Sequence, residues 1–396
     1  MRIDVLTSLY PAPERPFEGI FAERRWRAMA ARGHDVRVVA PVPWLPRALH
    51  GIVGPARAEV ARAPRREERS GVAVERPRFL HVPGLSHRNA RSFARSGERA
   101  VAAGARTRGA PDVVVCDYAW PAAAAAPSLA ASGLRVVVNG RGSDVLQVQG
   151  VAALRAALQE GLRAAHGLTA VSQDLLDAMV ALAGREGGPR VTALTPNGVD
   201  AERFQPCPID AARERLGLDA RGRMVLVVGH LIERKDPLLS LAAFAAASPG
   251  PEDALVFVGR GPLEGAVRTR ADELGLGARV TLAGERPPEE LVDWYRAASA
   301  LLLTSSREGR PNVVLEALSC GRPVLATDAG GTSELLRDAR MLAKTRDPEA
   351  LGGMLRGLLD DSPPAEDLRR SVAHLTWDAS LDALTAVLEA VAATPR

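Results

Sequence analysis

Short apolar runs alternate with longer stretches of helical period from the first residues onward. Ile3–Thr7 and Asp35–Ala40 read as strands, with helical spacing over Phe17–Ala31 between them. Further strands are predicted at Val72–Glu75, Asp112–Cys116, Arg135–Asn139, Leu168–Val171 and Arg190–Leu194. A basic helix over Asn89–Arg108, an Ala-rich helix after Trp120 and a helix from Ser172 fall between them. A second series follows, with strands at Met224–Gly229, Leu255–Val258, Val280–Ala283, Ala300–Leu303, Pro323–Thr327 and Arg340–Ala343, and helices from Pro348 and Pro364. Strand–helix alternation of this kind predicts parallel sheets wound with helices, because parallel neighbours need a crossover connection. Thr195-Pro196-Asn197-Gly198 carries turn residues and separates the two series. Pro41 to Glu68, rich in Pro and Arg, has the weakest pattern and reads as a surface excursion.

At 396 residues the chain is too long for one ordinary core, so two or three domains are expected. Apolar content of 46% and charged content of 25% are those of a soluble globular protein. Cys116, Cys207 and Cys320 lie far apart and form no pair motif, which argues against a disulfide framework or zinc site and for a reducing compartment. Asp4 interrupts any apolar signal-peptide core, and no run approaches the ~18 apolar residues of a membrane span. A cytoplasmic protein is therefore expected.

The net charge of +4 is unevenly placed: Arg47 to Arg108 holds fourteen arginines against five glutamates. Such a patch suits an anionic partner, either a membrane surface or a lipid-phosphate acceptor, and it equally suits solvated helix faces in an Arg-rich chain. Little aromatic interleaving disfavours nucleic acid. Lys235 and Lys344 are the only lysines among 51 basic residues, so a surviving lysine hints at a need for a compact ammonium.

The densest chemistry runs from Ser305 to Glu334. A strand ends in a loop holding Glu308 and Gly309, Pro311 stands where a helix would start, and Gly321 with Pro323 would stop it. The helix start would offer the free N–H groups of Asn312, Val313 and Val314 to an anion. Glu308 and Glu316 flank it, poor company for bare phosphate and good company for hydroxyls. A phosphate flanked by two hydroxyl-bearing rings, as in a nucleotide-sugar, fits both observations.

Glu308-Gly309-Arg310-Pro311-Asn312 with Glu316-Ala317-Leu318, then Cys320-Gly321-Arg322-Pro323-Val324 and Gly330-Gly331 with Glu334, resembles the donor-site signature of retaining GT-B glycosyltransferases of family four. The resemblance covers the whole chain, strongly in the second half and loosely from Pro46 to Arg108, and is nearest to bacterial exopolysaccharide or teichuronic-acid-type enzymes. It implies an α/β fold of two Rossmann-like doubly wound domains facing a cleft, with a C-terminal helix returning to the N-terminal domain. The expected divisions are 1–196 for the acceptor-side domain, 197–204 for a hinge, 205–376 for the nucleotide-sugar domain and 377–396 for the returning helix.

The same resemblance implies site roles. Lys235 and a neighbouring cation would meet the donor diphosphate, Glu308 the hydroxyls of the donor sugar and Glu316 those of the ribose. Gly309, Pro311, Asn312 and Val313 would complete the donor site, with Gly19 of the first loop near the diphosphate and Arg286 meeting the base through its main chain. The chain departs from the family twice: His230 stands where an arginine is usual, leaving Arg234 or His230 to supply that cation, and Arg141 replaces a histidine before Asp144. Arg141 could grip a phosphate or pair with Asp144, and both are carried as acceptor-side candidates. Gly259-Arg260-Gly261-Pro262-Leu263-Glu264 lacks the third glycine of a dinucleotide fingerprint, so nicotinamide binding is not expected.

The activity so implied is that of a metal-independent, retaining hexosyltransferase, with no cofactor beyond its nucleoside-diphosphate-sugar co-substrate. The acceptor would be a glycan or a lipid-linked precursor, with peripheral contact at the inner face of an anionic membrane through Arg47–Arg108. No Asp-x-Asp occurs, and no His, Cys and Asp cluster has metal-ligand spacing. A sugar-nucleotide epimerase of the same architecture and a non-catalytic sugar-nucleotide-binding partner in polysaccharide assembly are the alternatives.

Overall fold

In both halves the strands are nearly continuous apolar runs, as buried parallel strands require. The computed structural model describes residues 1–44, 63–148, 150–184, 188–218 and 222–394. It divides into unit 1, Met1–Pro196 with Ser380–Arg396, and unit 2, Asn197–Ala379. The part of the basic region and of the surface excursion over residues 45–62 lies outside the described residues.

Unit 1 contains β1 (Arg2–Thr7), β2 (Asp35–Val39), β3 (Val42–Trp44), β4 (Arg66–Arg69), β5 (Val72–Glu75), β6 (Arg78–Leu80), β7 (Val113–Asp117), β8 (Val136–Gly140), β9 (Gly167–Ala170) and β10 (Val191–Leu194). Eight of these form one sheet in the order β10-β9-β8-β7-β1-β2-β5-β4, parallel except for the β4–β5 pair. β3 and β6 make a separate parallel ribbon. Seven strands were expected in this unit; β3, β4 and β6 are the added ones, and β4 joins the main sheet as an antiparallel edge whose charged Arg-Glu-Glu-Arg gives no apolar signal.

Successive residues of the central strands feed opposite layers, the period of two that pleating imposes. Leu6, Val114 and Cys116 pack with the Ala-rich helices, whereas Ile3, Val5, Val113 and Val115 pack with Trp26 and Met29. The last helix, Trp377–Ala392, delivers Leu381, Leu384, Val387, Leu388 and Val391 to this second layer of unit 1. The two passages of the chain between units lie side by side, since Val199 bridges Thr376.

Unit 2 contains β11 (Met224–Val228), β12 (Ala254–Val258), β13 (Val280–Gly284), β14 (Ala300–Leu303), β15 (Val324–Thr327) and β16 (Leu342–Ala343). All are parallel, in the order β13-β12-β11-β14-β15-β16. From β11 the chain winds one way and from β14 the other, so the direction reverses between these neighbours. A crevice at the carboxyl ends of such strands is where open α/β sheets take ligands. Unit 1 reverses in the same manner between β1 and β7.

The loops at the carboxyl ends of β11, β12 and β13 are stitched together through glycines. Gly229 donates to Val258 O and Gly259 to Gly284 O. Gly259 has φ +143°, and a Cβ there would lie 2.0 Å from Gly229 O, so no other residue fits.

Candidate functional site

Lys235 follows β11 in a tight turn, and Glu308 follows β14. The two loops are tied by Thr304, whose hydroxyl donates to Asp236 O at 2.8 Å, and by Ser306 N–H, which donates to Arg234 O at 2.8 Å. Asp236 then caps the helix Pro237–Ala246 by accepting from Leu239 N–H. The result is a direct pairing across the reversal point: Lys235 Nζ donates to Glu308 Oε1 at 2.5 Å and Arg234 Nη1 to Oε2 at 3.3 Å.

The Glu308 side chain is only 9% exposed. Burial pushes its carboxyl up, but the charge and hydrogen bond of Lys235, with the charge of Arg234, outweigh that and hold it below its ordinary value. Gly330, at φ +55°, lies so close that a Cβ there would sit 2.1 Å from Glu308 O, and Gly331 N–H donates to Gly309 O at 3.0 Å. His230 is exposed and lines a small recess with Gly229, Lys235 and Thr304. Arg234 therefore joins the carboxylate cluster and His230 the recess beside it.

Two details of the helix start differ from expectation. Pro311 is the residue before the helix Asn312–Ser319, not its first member: its backbone is extended, and its carbonyl accepts the Val314 N–H at 3.2 Å. Val314 therefore has no free donor. Asn312 and Val313 N–H groups donate to no described residue, and Asn312 Oδ1 accepts from Asn197 at 3.1 Å. Glu316 Oε2 accepts the hydroxyl of fully buried Tyr295 at 2.7 Å, and burial followed by the Glu316 charge raises that phenol well above its usual range.

Arg286 stands apart from this cluster, after the edge strand β13, with its guanidinium 5.6 Å from the Trp294 ring and 3.6 Å from Glu290. Lys344 is exposed and pairs with Asp328.

In unit 1, Gly19 precedes the helix Ile20–Ala31 with φ +79°, and a Cβ there would lie 2.7 Å from Leu9 O. The Arg141 guanidinium pairs with Asp117. Its Nε and Nη2 donate to Asp117 Oδ1 at 3.0 Å and Oδ2 at 2.9 Å, and its backbone N–H donates to Asp144. The fork that would grip a phosphate is thus committed to a carboxylate.

Asp117 is fully buried at the end of β7 and also accepts from Trp26 Nε1 and Asn139 Nδ2. Burial opposes its ionisation, but the Arg141 charge and hydrogen bond, Arg25 and Asn139 bring its carboxyl down to about 2. Arg25, also fully buried, donates to Thr195 O, and burial with the Arg141 charge lowers its guanidinium to about 9. Asp117, Arg25, Trp26 and Asn139 escaped the sequence reading as site residues, although Asp117, directly after the predicted strand Asp112–Cys116, was a signal that could have been followed.

Among the described residues no group of three or more His, Cys, Asp or Glu side chains is arranged to hold a metal ion. No helix among them is long and apolar enough to cross a membrane.

Residues 22–203 match the sequence model described as Glycosyltransferase Family 4, and residues 208–374 the one described as Glycosyl transferases group 1. The chain is 29% identical to the putative teichuronic acid biosynthesis glycosyltransferase TuaC of Bacillus subtilis, over 89% of this chain and 87% of that one. It is 34% identical to the D-inositol 3-phosphate glycosyltransferase of Acidothermus cellulolyticus over 49% of this chain, spanning about half (47%) of that relative's length. In fold it is similar to the sucrose-phosphate synthase of Thermosynechococcus elongatus, with TM-score 0.80, 21% identity and 99% of each chain covered. It is also similar to Anabaena HepE in complex with UDP-glucose, with TM-score 0.73, 19% identity, and 98% of this chain and 100% of that one covered.

Asp144 carries a pH prediction. Burial pushes its carboxyl from an ordinary 3.8 up to about 6, against the backbone N–H groups of Arg141, Ala119 and Gly142. A carboxyl whose folded pKa is raised holds its proton harder in the native state. Its stabilising contribution is complete below the unfolded pKa and is lost as pH rises through the folded one. Between about pH 4 and 6 wild type should therefore lose up to about 3 kcal/mol relative to Asp144→Asn, read from urea unfolding across that window. A difference that stays flat with pH would show that Asp144 ionises normally.

Proposed function

The chain belongs to the family-four-type glycosyltransferases of GT-B fold, and from that premise we propose that it moves a hexosyl unit from a nucleoside-diphosphate-sugar to a hydroxyl acceptor. The observation that carries the reading is the Lys235–Glu308–Arg234 cluster at the reversal between β11 and β14. In this reading the leaving diphosphate is met by Lys235, Arg234 and the unpartnered amides of Asn312 and Val313. His230, beside Lys235 in the recess, is the further cation when protonated. Each charge-assisted bond contributes roughly 1.5–3 kcal/mol. Three that tighten as charge develops supply several powers of ten in rate, at about 1.4 kcal/mol per tenfold.

Glu308, with Gly309 and Pro311 shaping its loop, binds the hydroxyls of the transferred sugar. Glu316 binds the ribose and Arg286 the base. Transfer proceeds without metal and with retention, the departing phosphate taking the acceptor proton. The acceptor, a glycan or lipid-linked precursor, meets unit 1 at the loops of Gly19 and of Arg141 and Asp144. There Arg141 acts through the Asp117 pair instead of as a free phosphate clamp. The polysaccharide named for the Bacillus subtilis relative supports an acceptor of that kind.

The helix Ser86–Arg108 supports a membrane-proximal setting. Arg88, Arg91, Arg95, Arg99 and Arg106 recur at helical spacing on its exposed face, and none forms an ion pair with a described residue.

Donor turnover measured with and without a lipid-linked acceptor tests the activity: a transferase needs the acceptor, whereas an epimerase converts donor alone and a binding partner converts nothing. Glu316→Ala should abolish transfer while the fold persists, at a stability cost of about 1–2 kcal/mol for the stranded Tyr295 hydroxyl; retained transfer would remove the ribose role. Sedimentation with vesicles containing phosphatidylglycerol should capture wild type at low salt, and Arg88→Glu with Arg95→Glu should release it. Equal capture by neutral phosphatidylcholine vesicles would remove the membrane contact.

A further inference from the structure

Arg310, in the donor loop, is a buried guanidinium that makes no hydrogen bond among the described residues. Its side chain is 10% exposed, and its Nε is fully enclosed without a partner. Its sole ion pair among the described residues is with Glu334, at 4.0 Å, too long for a hydrogen bond. The other deeply buried arginines each make at least one hydrogen bond, Arg25 to Thr195 O, Arg37 to Asp4, Arg76 to Pro11 O and Arg213 to Ala297 O, even where Arg25 Nε and Arg76 Nη1 lack a partner. A guanidinium presents five donors in a rigid fork, and burying them unmatched is costly. Burial accordingly lowers the Arg310 pKa despite the opposing charge of Glu334.

The place of this residue limits what can complete it. Arg310 lies two residues past Glu308 and directly after Gly309, whose carbonyl is tied to Gly331 N–H. In the donor reading the diphosphate oxygens have Lys235, Arg234 and the amides of Asn312 and Val313, and Arg310 shares its loop with Glu308, the residue assigned to the transferred sugar. A planar, two-oxygen anion matches the fork bidentately. On a hexose, that group is the carboxylate formed when C6 is oxidised.

We propose that Arg310 selects donors whose sugar carries a carboxylate, a nucleoside-diphosphate uronic acid, over the corresponding neutral hexose. The proposal rests on the donor reading given above. It gives Arg310 a binding role and no part in proton transfer.

Equilibrium binding by calorimetry with matched donors tests it: UDP-glucuronic acid against UDP-glucose and GDP-mannuronic acid against GDP-mannose, with UDP and GDP alone as references. The uronate of one pair should bind at least tenfold more tightly than its neutral partner. Arg310→Met should bring that ratio to about one with affinity for the free nucleotide unchanged, and Arg310→Lys should keep part of it. Because the readout is a ratio, partial misfolding of a variant does not alter it. Equal affinities in wild type, or a preference that survives Arg310→Met, would overturn this proposal alone. Failure of both UDP and GDP to bind would overturn the donor reading and this proposal with it.

Discussion

A carboxylate that is nine-tenths buried has to be matched by positive charge, and in unit 2 that requirement falls on Glu308. Its partners, Lys235 and Arg234, come from the loop after β11, while Glu308 itself follows β14. The ion pair therefore clamps together the two loops that part company at the reversal of strand order. Removing one partner from such a pair typically costs several kcal/mol, because the other charge is left stranded. The surrounding contacts serve the same geometry: Thr304 and Ser306 bond the Lys235 loop, and Gly330 makes room for the Glu308 backbone. A cation held this way is already oriented before any ligand arrives, so little reorganisation is left to the moment of reaction.

Unit 1 meets the same problem with the same solution. At its own reversal, between β1 and β7, Asp117 is fully buried and is matched by the Arg141 fork, with Arg25 close behind. Trp26 and Asn139 use up its remaining acceptor capacity, and Asn139 in turn accepts from Thr169 and Thr195. Each Rossmann-like unit thus carries a buried, compensated carboxylate at the carboxyl ends of its strands. The difference lies in exposure. Lys235 and Arg234 remain 18% and 24% exposed, whereas the Arg141 side chain is at 10% and Arg25 is enclosed completely.

The strand series and the Ser305–Glu334 stretch were legible because they depend on local pattern: apolar runs, helix punctuation, and two glutamates beside a helix start. What was missed depends on contacts between residues far apart in sequence. The Arg141–Asp117 pair spans 24 positions and Arg25 reaches Thr195 across 170, so nothing in the neighbourhood of Arg141 distinguished Asp117 from the nearer Asp144. β4 was lost because an edge strand facing solvent carries no apolar alternation. The helix start was misjudged by one residue, since Pro311 supplies a carbonyl to Val314 from the capping position, a distinction that composition does not encode. Glu316 was found by its spacing from Glu308, but its partner Tyr295 sits on another helix and is visible only in the fold.

The most direct measurement of the account is a crystal structure of the protein with a nucleoside-diphosphate-sugar bound. The account predicts pyrophosphate oxygens on Lys235, Arg234 and the Asn312 and Val313 amides, with Glu308 turned to sugar hydroxyls and Glu316 to the ribose. A donor bound elsewhere, with the Lys235–Glu308 pair intact and untouched by ligand, would contradict it.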